Sequence, residues 1–93
     1  MASPQKLLRR ALEQHQAGKV LEAGELYRKV LAKDPKNVDA LNLLGTLLLA
    51  VGQADTAVPL LQRATELAPD FFVPFVNLGN GLQVLGQTDD AIA

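Results

Sequence analysis

A 34-residue period governs this chain of 93 residues. Gly18, Gly52 and Gly86 follow it, as do Ala23, Ala57 and Ala91, and the pair Pro35 and Pro69. Three series locked in one phase mean a single supersecondary unit copied along the chain. Such a unit buries its apolar face only when copies stack. Stacked helical units usually bind other molecules and rarely catalyse, so the period constrains function as well as fold.

Copies begin near Pro4, Val38 and Phe72. Leu7, Leu41 and Phe75 then coincide, as do Ala11, Gly45 and Gly79, and Tyr27 with Leu61. The small residues Ala11, Gly45 and Gly79 fall midway along the first helix of each copy, where a partner helix must approach closely. Gly in a helix interior costs about 1 kcal/mol against Ala, which close packing would offset. Gly18, Gly52 and Gly86 follow the last apolar residue of that helix, the usual place for a left-handed C-terminal residue. Pro35 and Pro69 end the second helix, because the residue before proline disfavours helical geometry. These signals predict helices at about 4–17, 20–33, 38–51, 54–67 and 71–85, and the start of a sixth at 88–93. Pro59 either delays the start of its helix or bends the first turn.

This pattern resembles the tetratricopeptide repeat, a helix–turn–helix unit of the same period with a large-small-aromatic-alanine-proline signature. The likeness covers Pro4 to Ala93. It implies an all-α, right-handed α-solenoid of antiparallel helix pairs, about two and a half repeats long. The repeats would span residues 4–37, 38–71 and an incomplete 72–93.

Composition limits the chemistry. With no Cys, neither a disulfide framework nor a thiolate metal site is available, and no metal or cofactor is expected. His15 is the only histidine and Ser3 the only serine, so no nucleophile–base pair can be assembled and no catalytic residue is assigned. His15 reads as a solvent-exposed helix residue. Gly79-Asn80-Gly81 lacks the strand and third glycine of a dinucleotide site. Asp89 and Asp90 suit the first turn of a helix. No apolar run spans a bilayer, and MASPQKLLRR lacks a signal peptide's apolar core, so the expected location is cytoplasmic.

Net charge is −1, unevenly spread. Residues 1–46 hold eight Lys/Arg and five Asp/Glu, giving +3; residues 47–93 hold Arg63 and five acids, giving −4. With an acidic balance and few aromatics among its cations, the chain is not expected to bind nucleic acid.

What remains is a binding surface. The resemblance implies that the first helices of successive copies line a concave groove for a protein or peptide partner. On the 38–51 helix, Asp39, Asn42 and Thr46 form one polar stripe on an otherwise apolar segment. Gln5, Leu8 and Leu12, then Val73, Val76 and Asn80, are its counterparts, with His15, Leu49 and Gln83 further along. The groove expected from these positions comprises Asp39, Asn42, Thr46, Val73, Val76, Asn77, Asn80 and Gln83, with Asn42, Thr46, Asn80 and Gln83 partly exposed. Family members that grip acidic chaperone tails use a basic and amide clamp. Here its places hold Leu8, Leu12, Leu43, Val73 and Asn77, and none is a cation. The phrase VNLGN, Val76–Asn80, is similar to repeats attached to protein-modifying glycosyltransferases.

The third copy stops before completing its second helix, so the chain reads as a fragment of a longer one. Phe75, Leu78, Leu82 and Leu85 should then form an apolar self-association surface, for which a dimer is favoured. Three functions are compatible with these features: a non-enzymatic protein-interaction scaffold, a self-assembling structural module, or the substrate-recruiting repeats of a larger enzyme.

Overall fold

The computed structural model describes residues 2–92, with side chains through residue 87. Among these residues the chain forms five helices: α1 Pro4–Gln16, α2 Val20–Lys33, α3 Val38–Ala50, α4 Ala54–Leu67 and α5 Phe72–Ile92. Successive helices pack in antiparallel pairs, α1 on α2 and α3 on α4, and the pairs stack through α2–α3 and α4–α5. The product is an elongated helical-repeat solenoid of 48 × 29 × 19 Å.

Local chemistry explains each boundary. Ser3 Oγ accepts the Lys6 amide at 3.2 Å, and Pro4 occupies the first turn, where its missing N–H goes unused. Asn37 caps α3 by accepting the Ala40 amide at 3.0 Å. Gly18 and Gly52 adopt φ of +79° and +82°. Behind each, the next amide reaches back to close the helix, Lys19 to Gln14 at 2.9 Å and Gln53 to Leu48 at 2.8 Å. Asp34 and Ala68 leave the helical region before Pro35 and Pro69. Pro59 lies inside α4, which still begins at Ala54, so it does not delay the helix start.

The core follows the repeat. Leu7 and Ala11 on α1, Ala23, Tyr27 and Val30 on α2, Leu44 and Leu48 on α3 and Ala57 and Leu61 on α4 share one buried cluster, and Leu41 and Ala64 are buried as well. Gly45 is where the second pair comes closest. A Cβ there would lie 2.7 Å from the Leu61 side chain, so only glycine fits.

The third copy departs from the pattern. Gly86 does not take a left-handed conformation, and α5 runs through it to Ile92 instead of breaking into a sixth helix. The side chains of Asp89, Asp90 and Ala91, and all of Ala93, lie outside the described residues.

Candidate functional site

The face shared by α3 and α5 carries the polar groups singled out by sequence. These two helices touch directly. Asn77 Nδ2 donates to Asn42 Oδ1 at 2.9 Å and to Thr46 Oγ1 at 3.0 Å. The Thr46 hydroxyl donates to the Asn42 carbonyl at 2.7 Å. Because Thr46 has already given its proton, it can only accept from Asn77. That fixes the asparagine amide, whose two N–H groups are both committed to α3 and whose carbonyl oxygen is left as an acceptor.

This arrangement changes the expected surface. Asn42 is buried, with 7% of its area exposed, and serves the α3–α5 contact in place of the partly exposed position read from sequence. Thr46, Asn77 and Val73 are half-buried beside it; Asp39, Asn80, Gln83 and Val76 are exposed. Asp39 brings the only charge on α3, and no ionisable residue occurs from 71 to 88, so the face is close to neutral. It mixes amides with aliphatic groups and holds no obvious nucleophile. Among the described residues, no three His, Asp or Glu side chains gather as a metal site.

On α1, His15 is half-buried against Tyr27, in contrast to the exposed position expected for it. Its Nδ1 shares a hydrogen bond of 2.9 Å with the Tyr27 hydroxyl, and the rings meet edge to face at 5.9 Å. Burial pushes the Tyr27 hydroxyl pKa up from its usual value. One period later the pair is Leu49 and Leu61, so the first copy uses a polar lock where the second uses aliphatic packing. Neither polar pairing is evident from sequence pattern alone. A usable signal exists for Asn42 and Asn77: they are 35 residues apart, one period plus one residue, which sets them side by side on neighbouring first helices.

The expected apolar surface divides. Phe75 and Leu82 are 45% and 49% exposed, while Leu78 and Leu85 are half-buried, Leu78 against the core. Phe72, at 71%, joins the open side.

Residues 14–73 match the model of a family described as tetratricopeptide repeat. The chain is also similar to the rhomboid protease GluP of Bacillus subtilis (strain 168), at 33% identity over 72 residues. That match takes in 77% of this chain but 14% of the protease. Among the described residues, no helix is long and apolar enough to cross a membrane.

Proposed function

Since the chain belongs to the tetratricopeptide repeat family, whose repeats mediate protein–protein interaction, we propose that it is a non-enzymatic module that holds an extended peptide along α3 and α5. The locked Asn77 amide carries this reading. Its oriented carbonyl can accept a backbone N–H from a partner, and exposed Asn80 and Gln83 offer further amides on the same helix. Val73 and Val76 supply apolar contact between them. Amides meeting a peptide backbone, with aliphatic contacts choosing side chains, suit a neutral or apolar segment better than an acidic tail. A cytoplasmic location is part of the same reading.

A short-peptide display library panned against the chain tests the proposal. Sequences should enrich, and lose at least tenfold in affinity against Asn80→Ala while its melting temperature stays within about 2 °C of the parent. No enrichment, or binding indifferent to both Asn80→Ala and Val76→Asp, would reject it.

The match to a stretch of a rhomboid protease favours a second reading, in which these repeats recruit substrates for a larger enzyme. Sequencing the flanking coding region decides it. An in-frame catalytic or membrane domain supports that reading, and a start and a stop codon bounding these residues exclude it.

A further inference from the structure

We propose that the recess between α2 and the α3–α4 turn receives one large apolar side chain of a partner peptide, while an acidic residue beside it in that peptide meets Arg28. The second junction between copies supplies the measure. There Val58 of α4 stands over Gly81 of α5, so close that a Cβ on Gly81 would come within 2.9 Å of it. One period earlier these places hold Gly24 and Leu47, and a gap of about 270 Å³ is left. Its walls come from α2, α3 and Gln53 before α4, all within the first two copies, so its opening does not depend on either end of the chain.

The size of the recess selects its occupant. Leu47 and Leu48 are buried beneath it, while Leu21 and Val51, 80% and 45% exposed, stand on its rim. Two open aliphatic groups around a hollow mark a contact for an apolar group. The volume fits one leucine or phenylalanine side chain and falls short of the roughly 300–1,000 Å³ that encloses a drug-sized ligand. The open apolar area is chiefly that of two side chains, far below the roughly 800 Å² per partner buried when two folded proteins pair. One anchoring side chain from a peptide segment matches these dimensions, and a second copy of the chain does not.

Charge selects the neighbour of that anchor. Arg28 lies along the wall, its guanidinium 3.3 Å from where a Gly24 Cβ would stand. Among the described residues it makes no hydrogen bond or ion pair, which leaves its N–H fork for a carboxylate. Gln53, also on the wall, is the N-cap of α4, and its side chain bonds none of the first amides of that helix. Their partial positive charge adds to the attraction for an anion. Glu25 is the one acid on the rim, and it also lines a polar cleft with Arg10 and Lys29, two cations that offset it. An acidic residue beside the anchor is therefore favoured over a basic one. The recess shares no residue with the hydrogen-bonded set Asn42, Thr46 and Asn77, so the proposal does not rest on the groove reading.

NMR titration of the amide-labelled 93-residue chain tests the proposal. The probes are Gly/Ser peptides of about ten residues with Asp-Phe-Asp, Lys-Phe-Lys or Asp-Ser-Asp at the centre. The Asp-Phe-Asp peptide should shift the amides of Gly24, Leu47, Leu48 and Val51, and bind at least tenfold more tightly than the other two. Arg28→Glu should reverse the order, so that the Lys-Phe-Lys peptide binds better, an outcome that a damaged fold does not produce. Gly24→Leu fills the recess and should abolish the shifts, with circular dichroism showing the helices kept. Asn80→Ala should leave the shifts in place, which separates this site from the groove on α5. No shifts, shifts at Asn77 and Asn80 instead, equal binding of the Lys-Phe-Lys peptide, or indifference to Arg28→Glu would each overturn the proposal. So would shifts of the same amides that grow with protein concentration without peptide, the mark of a second copy in the recess.

Discussion

The two junctions between successive copies solve the same packing problem with the residues exchanged. At the second, Val58 of α4 stands over Gly81 of α5, where a Cβ would come within 2.9 Å of its methyl group. At the first, the equivalent places hold Gly24 on α2 and Leu47 on α3. There the small residue is on the second helix and the large one on the first. The exchange is not perfect. A cleft of about 270 Å³ remains around Gly24, floored by Leu47 and Leu48 and rimmed by Leu21, Val51, Glu25 and Arg28. Leu21 is 80% exposed on that rim. Between these two junctions the large and small residues change helices while one of each is kept. Where the match is loose, a surface recess results.

Four single substitutions, one of them paired with a compensating change, can break or sharpen that comparison. The largest effect is expected within the second copy, which both junctions flank. Gly45→Leu drives a side chain into Leu61 and should cost about 3 kcal/mol, the upper range for overpacking. Thermal melting should show a fall of more than 10 °C, at about 4–8 °C per kcal/mol for a domain of this size; an unchanged melt would mean that the crossing is not close. Next, Gly81→Val should cost about 1–3 kcal/mol by collision with Val58. Adding Val58→Gly should recover a good part of that loss, because the pair then approaches the first junction's arrangement. A double-mutant cycle in urea measures the recovery, and strict additivity would refute the exchange. Gly52→Ala forces a Cβ into φ of +82° and should lose about 1–2 kcal/mol, seen as a lower urea midpoint. Smallest is Gly24→Ala. The new methyl meets only the end of the Arg28 side chain, at 3.3 Å, so helix propensity should prevail and raise stability by about 0.5–1 kcal/mol. A drop in melting temperature would show that the first junction is as tight as the second.

The repeat phase makes the first four helices legible in the sequence because their signals are local. Caps, turn glycines and prolines act within a few residues of themselves, and α2 and α4 begin and end where those signals place them. Gly45 is readable for a related reason, since a glycine kept mid-helix needs a packing explanation. The face shared by α3 and α5 is harder. The polar stripe at Asp39, Asn42 and Thr46 is visible as a pattern, yet burial of Asn42 depends on a hydrogen bond to another helix. Helical spacing alone does not say which polar residue faces water and which faces a neighbour. His15 escapes the sequence likewise, because its partner Tyr27 belongs to the facing helix. On α5, the heptad-like run of apolar residues is plain. That Leu78 and Leu85 turn inward while Phe72 turns outward depends on where α4 lies.

The straight course of α5 through Gly86 has a consequence for how repeat sequences are averaged. Gly18, Gly52 and Gly86 share one alignment column, and a consensus would assign them one meaning. In the molecule the first two reverse the chain and the third is an ordinary helical residue. Alanine at Gly18 or Gly52 would strain the backbone, whereas at Gly86 it would favour the helix. A profile that scores the column as a whole would report one tolerance for three positions that hold two. Glycine permits a left-handed turn without imposing one, so the same letter serves as a full stop twice and as a plain syllable once.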